Sequence, residues 1–458
     1  MKRFDAVVIG AGQAGPSLAR RLAAAGQTVA IIERKLFGGT CVNTGCMPTK
    51  TLVASARVAH VVRQAAEYGV SVPGPLEFDL RRAKARADAV STGARRGVES
   101  SLRDMAGVTV IQGHARFTSR DTVKVGDEVV SAARIFVDVG GRARTPPIAG
   151  IGEVPHLTNA SILELESLPR HLLIIGGGYV GLEFAQIYRR FGSDVTVVEM
   201  GPRILGHEDE DVSSAISAIL EREGIQVRAR AECISVFSDP QGVAARLECD
   251  AGDPTVIGSH LLLATGRRPN TDDLDLDRAG VAVDARGYIR VDDFLRTNVA
   301  GIWALGECNG RGAFTHTAYN DYEIVAANLL AGDPRKVSDR IEAYALYIDP
   351  PLGRLGLTDH EARKTGRALL HGKRPMTRVG RAVEKDETQG FMKAVVDAET
   401  KKIVGATILG TGGDEAIHGI LYAMYAGATS TTLARSVGIH PTVSELVPTL
   451  LGELRPLA

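Results

Sequence analysis

The chain has 458 residues, 44% of them apolar, 24% charged and 5% aromatic, a balance that excludes a disordered chain and calls for two or three domains with cores of their own. Its 54 basic and 54 acidic side chains cancel, which excludes a global field drawing it to nucleic acid or to an anionic membrane surface and leaves a small molecule as the expected partner. The five cysteines, an odd number in a long chain, do not suit the disulfide framework of a secreted protein and point to a reducing cytoplasm, where a cysteine pair would work by redox cycling.

The chain opens on Met1-Lys2-Arg3-Phe4 and Ala6-Val7-Val8-Ile9, which superficially offer the basic and apolar regions of a signal peptide. The Gly10-Ala11-Gly12 turn that follows favours a short buried strand feeding a nucleotide-binding loop. No uninterrupted apolar run elsewhere reaches the ~18 residues needed to span a bilayer, so neither export nor membrane insertion is expected.

The stretch AVVIGAGQAGPSLARRLAAAGQTVAIIER recurs in register as LLIIGGGYVGLEFAQIYRRFGSDVTVVEM. Gly10, Gly12, Gly15, Gly26 and Glu33 of the first copy correspond to Gly176, Gly178, Gly181, Gly192 and Glu199 of the second. Each copy reads strand, glycine turn, helix, strand, acid. One glycine makes the turn, one lets the backbone approach a pyrophosphate, and one lets the helix pack on the strand. The phosphates then meet backbone N–H groups and the positive end of the helix dipole, while the acid accepts from the adenosine ribose hydroxyls. A lone match is weak, but two complete copies point to two dinucleotides, one of which could be a bound flavin. Glu199 would bond a free ribose 2′-hydroxyl and repel a 2′-phosphate, with only Arg203 nearby in sequence to offset it, so NADH is expected over NADPH.

Between the copies lies Gly38-Gly39-Thr40-Cys41-Val42-Asn43-Thr44-Gly45-Cys46-Met47-Pro48-Thr49-Lys50. Helical periodicity from Thr49 to Ala66, with Pro48 in the first turn, puts Cys46 close to a helix N-terminus, which favours the reactive thiolate. Zinc is a poor alternative because Cys233, Cys249 and Cys308 are scattered without a second paired motif. An inert pair of buried thiols would be favoured for an isolated pair, but the position beside a nucleotide loop argues against it.

Beyond the second copy come Leu261-Leu262-Leu263-Ala264-Thr265-Gly266, a crossing loop from Arg267 to Asp277, and a strand, Gly301 to Leu305, ending at Gly306-Glu307. From about Ile341 strands, LTDH among them, alternate with amphipathic helices, as in a separate α+β domain. Near the end, His440 before Pro441 could be a turn residue, and Thr442 with Glu445 fits a capping box that would hold a helix start.

These motifs, together with ATGRRPN, GECNGRGAFTHTAYND and the closing His440-Pro441-Thr442-Val443-Ser444-Glu445, closely resemble the pyridine nucleotide-disulfide oxidoreductases of the glutathione reductase and dihydrolipoamide dehydrogenase type. The resemblance implies an α/β fold with two Rossmann-like dinucleotide-binding domains and a C-terminal α+β dimerisation domain. Its division would be FAD-binding residues 1–145 and 272–338, NAD(H)-binding residues 146–271, and interface residues 339–458. It further implies a homodimer with FAD on the first fingerprint and NAD(H) on the second.

In the roles carried over, Cys41 meets substrate and Cys46 faces the flavin in charge transfer. Lys50 sits near flavin N5, paired with Glu183. His440 exchanges protons with the substrate thiol and Glu445 orients it, a task that suits a base with a near-neutral pKa. Tyr179 either covers the nicotinamide pocket or simply packs. The cofactor-contacting set takes in Gly10, Gly12, Gly15, Glu33, Thr40, Lys50, Ala115, Thr265, Gly266, Gly306, Glu307 and Thr315, with Gly176, Gly178, Tyr179, Gly181 and Glu199. Glu307 stands where the family usually has an aspartate touching the ribityl chain, so the local fit shifts by about one methylene.

The cysteine segment and the ending HPTVSELVPTLLGELRPL look most like the proteins grouped with mercuric reductases and reactive-chlorine-resistance flavoproteins. No cysteine follows Cys308, so the terminal vicinal pair with which mercuric reductases deliver Hg(II) is not expected to operate. The expected reaction passes electrons from NADH through FAD to the Cys41/Cys46 disulfide and on to a small disulfide. A metal-ion acceptor, or the lipoamide-oxidising role within a 2-oxo acid dehydrogenase complex, is the alternative.

Overall fold

A computed structural model describes residues 1–248 and 253–457, apart from the side chains of Cys233 and Glu248, so Cys249 lies outside the described residues. In the strand Lys2–Ile9 the last four side chains are all buried, as a central parallel strand covered on both faces requires. It pairs in parallel with Val29–Glu33 on one side and Glu128–Val137 on the other, and Val108–Gln112 extends the sheet beyond Val29–Glu33. The antiparallel strands Thr122–Val125 and Ala115–Ser119 continue from the first half of Glu128–Val137, whereas Ile302–Ala304 runs parallel to its second half. A late segment therefore completes the first sheet.

The second glycine copy builds a separate parallel sheet in the order Gln226–Arg228, Asp194–Val198, His171–Ile175, His260–Leu263. Antiparallel strands Glu232–Asp239, Gly242–Glu248 and Thr255–Gly258 share a core with it through Ala231, Val236, Val243 and Leu261. The chain returns through Arg267–Pro269, which pairs with Gly141–Ala143. The expected crossing loop from Arg267 to Asp277 thus begins as a short ribbon, an arrangement that gives the crossing backbone hydrogen-bond partners.

The C-terminal part is an antiparallel sheet in the order Ala343–Leu346, Leu352–Gly356, Ile403–Leu409, Phe391–Asp397, Leu369–Pro375, Arg455–Pro456, with the helix Gly413–Tyr425 against it. The expected strand at Leu357 to His360 is instead a helix start. Thr358 Oγ1 accepts from the Glu361 amide at 3.0 Å and Glu361 reaches back to the Thr358 amide at 2.9 Å, a reciprocal cap that overrides the local alternation. Two Rossmann-like units and a C-terminal α+β unit result, the architecture expected. Among the described residues, no helix is long and apolar enough to cross a membrane.

One core joins the three units. Leu52 and Ala56 of the helix Cys46–Gln64 and Leu80 and Ala87 of the helix Leu80–Arg103 share it with Phe184, Tyr188 and Phe191 of the second glycine helix and with Leu346, Phe391 and Leu409 of the C-terminal sheet. Each large side chain buried there contributes about 1.5–3 kcal/mol. A charged seam runs alongside: buried Arg190 bridges Glu223 and Asp349, both at 2.7 Å, and Asp349 also receives Arg57 of the Cys46–Gln64 helix at 2.6 Å. The helix that begins at Cys46 is therefore held on several sides.

Candidate active site

Both glycine loops have the close approaches their sequence demands. Gly10 and Gly176 have φ of 109° and 115°, and a methyl group on either would stand 2.1 or 2.5 Å from the carbonyl oxygen of Asp138 or Ala264, so only glycine fits. On Gly15 or Gly181, a methyl group would stand 2.2 Å from the carbonyl oxygen of Gly10 or Gly176. At Gly178 nothing lies within 4 Å of the same position, leaving open space where a pyrophosphate could approach. The acids are oriented alike: Glu33 accepts from the Ala11 and Lys35 amides at 2.9 and 2.8 Å, and Glu199 from the Gly177 and Gly201 amides at 2.8 and 2.7 Å. Paired glycine loops with a fixed acid at each second strand are the donor set that FAD and a nicotinamide dinucleotide require.

The short helix Gly39–Thr44 carries Cys41, and after Gly45 the helix Cys46–Gln64 begins at Cys46 itself, one turn earlier than the periodicity indicated. Both thiols are free, with Cys41 half-buried and Cys46 exposed. Its side-chain interaction with Cys46, and then burial, hold the Cys41 thiol well above the ordinary thiol range. Cys46 is lowered to about 6, first by its interaction with Cys41 and then, against partial desolvation, by the Thr315 hydroxyl, the Lys50 ammonium and its own backbone N–H. Thr315 Oγ1 lies 3.3 Å from Cys46 Sγ. The surroundings thus favour the protonated form of Cys41 and the thiolate form of Cys46.

One helical turn on, Lys50 Nζ meets both Glu183 oxygens at 2.9 and 2.7 Å, and the Tyr347 amide donates to Glu183 at 3.0 Å. Glu183 is only 2% exposed, so the pair is held at the seam between two units. Lys50 also lies 4.8 Å from the Tyr347 ring centroid. Tyr179 heads the second glycine helix and its ring packs at 5.6 Å, tilted, against Phe314. Phe314 in turn stacks on His316 and Tyr344.

The remaining expected residues are distributed around this centre. Thr40 Oγ1 stands 3.5 Å from the Gly141 carbonyl, Ala115 is buried in the first core, and the Gly266 carbonyl accepts from the Arg144 amide at 3.0 Å beside Thr265. Glu307 forms a forked pair with Arg267 at 2.6 and 2.9 Å, and Arg267 also reaches the Gly141 carbonyl at 2.6 Å. A side chain at Gly141 would collide with Glu307, 2.7 Å from Cδ. The methylene that separates Glu307 from the aspartate of the family pattern is therefore taken up against a glycine, with an arginine fixing the carboxylate. Sequence reasoning did not single out Arg267, Asp321 or Asp138. Asp321 accepts from the Gly306 amide and Asn309 and pairs with Arg340. Asp138 accepts from the Gly15 amide at 2.7 Å. The signal for Asp138 lay in comparing VDVGG after the first sheet with LATGR after the second.

His440 and Glu445 form a pair of their own. Nδ1 of His440 lies 3.1 and 3.0 Å from the two Glu445 oxygens. Of the capping box that Thr442 and Glu445 suggested, one half forms, since Thr442 Oγ1 accepts from the Glu445 amide at 3.2 Å while the carboxylate goes to His440. The His440 side chain is 77% exposed and Glu445 14%. Among the described residues, no hydrogen bond or ion pair links this pair to Cys41 or Cys46 of the same chain. Val443, Val447 and Leu450 anchor it in the C-terminal core, and exposed Ile439, Val437, Tyr422 and Tyr425 lie on the same unit.

Comparison with known proteins covers almost the whole chain. Residues 4–321 match the family model for pyridine nucleotide-disulphide oxidoreductases, and residues 343–451 match the dimerisation domain of the same family. The probable pyridine nucleotide-disulfide oxidoreductase RclA of Escherichia coli is 36% identical, the match covering 97% of this chain and 98% of that one. A mercuric reductase of Streptomyces lividans is 34% identical over 96% of this chain and 94% of its own. Among solved structures, the Cu(II) complex of the HOCl-induced flavoprotein disulfide reductase RclA from Escherichia coli superposes with a TM-score of 0.89 at 34% identity, covering 99% of each chain.

Proposed function

This chain belongs to the pyridine nucleotide-disulphide oxidoreductase family, and from that premise we propose that it is a cytoplasmic homodimeric reductase that uses NADH to reduce a small disulfide through Cys41 and Cys46. The division of labour follows residues 1–145 and 272–338 for FAD, 146–271 for NAD(H) and 339–458 for the subunit interface. Gly10, Gly12, Gly15 and Glu33 would hold FAD, and Gly176, Gly178, Gly181 and Glu199 the nicotinamide dinucleotide. When bound, FAD supplies two-electron transfer between the nicotinamide and the cysteine pair.

The observation that carries the proposal is the setting of the cysteine pair: Cys46 opens the helix Cys46–Gln64 with Thr315 Oγ1 3.3 Å from its sulfur, and one turn on Lys50 is fixed by buried Glu183. Cys46 is lowered to about 6, with Cys41, Thr315 and Lys50 around it. In the reductive half, Lys50, fixed by Glu183, keeps positive charge beside the Cys46 thiolate. In the oxidative half, Cys41 loses its proton to His440 of the partner subunit and attacks one sulfur of the acceptor. A mixed disulfide forms, and the first acceptor thiol leaves with that proton. The Cys46 thiolate then attacks the Cys41 sulfur, releasing the second acceptor thiolate and closing the Cys41–Cys46 disulfide. Two electrons pass from dithiol to acceptor, and the sulfur bonds formed and broken balance. The dimerisation-domain match and the exposed apolar residues on the unit that carries His440 support a shared site.

A metal ion is the second acceptor reading, favoured by the paired thiols and by likeness to a mercuric reductase and to a Cu(II)-bound reductase. NADH oxidation by purified protein, measured against lipoamide, glutathione disulfide, other small disulfides, Cu(II) and Hg(II), tests both. Turnover with a disulfide that is lost in Cys41→Ser supports the first reading. Turnover with metal alone, indifferent to His440→Ala, supports the second.

A further inference from the structure

The two glycine loops differ at one position that the fold treats identically. The backbone that closes over the first loop is Asp138, whose amide donates to the Ile9 carbonyl at 2.8 Å and whose carbonyl blocks the space beside Gly10. Its counterpart over the second loop is Ala264, whose amide donates to the Ile175 carbonyl at 2.8 Å and whose carbonyl blocks the space beside Gly176. Beside the helix-packing glycine, the second loop has the Ala264 methyl 3.3 Å from the place of a Gly181 side chain, and the first has Asp138 Oδ2 3.1 Å from the same place at Gly15. A methyl fills this place in the second loop, where the first has a carboxyl.

The carboxyl touches the part of the first loop that would bind phosphate. Asp138 is 6% exposed and accepts from the amide of Gly15, the first residue of the glycine helix. Its Oδ2 also lies 3.1 Å from where a Gly12 side chain would be, and its Oδ1 3.0 Å from that place at Gly306. The carboxyl thus stands between both turns expected to hold FAD and takes the N–H of Gly15, at the helix N-terminus that favours a pyrophosphate. The charged groups facing it are acidic: Glu33 at the end of the second strand and Asp321 on the helix Thr315–Ala326, the latter paired with Arg340. Cys308 is buried alongside.

We propose that Asp138 is a proton-dependent element of the FAD site, accommodating the pyrophosphate as a neutral carboxylic acid and weakening its hold once ionised. This rests on the reading of the first loop as the FAD site. Burial first, then repulsion by Asp321 and Glu33, pushes Asp138 up to about 8, against the hydrogen bonds from Gly15 and Ala14. The carboxyl is neutral below that value and charged above it. A bound pyrophosphate adds negative charge and favours the neutral form further, so binding above about pH 8 takes up a proton and weakens with rising pH.

The test is the FAD dissociation constant of the holoprotein, read from the fluorescence of released flavin, from about pH 7 to about pH 10. Wild type is expected to lose up to about tenfold in affinity per pH unit above about pH 8. Asp138→Asn, which keeps the shape, and Asp138→Ala, which copies Ala264, should hold FAD at least as tightly at neutral pH and lose that slope. An equal slope in wild type and in either folded variant overturns the inference and leaves the FAD site standing, as does weaker FAD binding by both variants at neutral pH. Protein that binds no FAD at any pH overturns the FAD reading itself.

Discussion

Replacing Thr315 with valine removes the hydroxyl 3.3 Å from Cys46 Sγ while preserving side-chain volume and branching. A hydrogen bond to a charged group contributes about 1.5–3 kcal/mol, and 1.36 kcal/mol corresponds to about one pKa unit. Sulfur is a diffuse acceptor, so the lower end applies and the Cys46 titration should rise by about one unit from its value of about 6. The direction follows from the charge: the hydroxyl stabilises the thiolate, which predominates above the midpoint and is lost as pH falls through it. At neutral pH the wild-type dithiol should be roughly nine-tenths thiolate at Cys46 and the variant about half. The assay is the pH dependence of ultraviolet thiolate absorbance and of iodoacetamide alkylation in the reduced protein, with the site assigned by peptide fragmentation. Cys308, fully buried, should stay silent in the native state. A midpoint unmoved in a folded Thr315→Val variant would refute the account of how the Cys46 thiolate is held.

Two further perturbations test the other parts. Glu199→Ala frees the amides of Gly177 and Gly201 and removes a charge that repels a 2′-phosphate; the ratio of kcat/KM for NADH over NADPH should fall by about tenfold or more, and an unchanged ratio counts against the assignment. Homodimers of Cys41→Ser and of His440→Ala should each be nearly inactive toward a disulfide. Randomly mixed dimers should regain about a quarter of wild-type activity, because about half are mixed and each has one intact site. No recovery in verified mixed dimers would show that each site draws on one chain.

What could be read from the sequence was set by local backbone constraints. Gly10, Gly15, Gly176 and Gly181 are demanded by contacts with residues close in the chain or on an adjoining strand, so they announce two nucleotide loops. Cys46 at a helix start follows from the Gly45 break and the periodicity beyond. Contacts made by chain reversal were less legible. Thr315 was expected near the cofactor, but its approach to Cys46 joins residues 269 positions apart, which no periodicity encodes. The Glu307–Arg267 fork explains how an extra methylene is accommodated, and it too needed the ribbon that brings Gly141 alongside. At Leu357 to His360 a local signal was misread, because alternation suggested a strand where the Thr358–Glu361 cap starts a helix.

The central claim is that NADH electrons arrive at Cys41 and Cys46. Anaerobic addition of NADH to the oxidised holoprotein, followed by alkylation and peptide mapping, tests it most directly. Label should appear at Cys41 and Cys46 only after NADH, and in Cys46→Ser no NADH-dependent label should appear at Cys41. Flavin bleaching by NADH without new label at either cysteine would contradict the account.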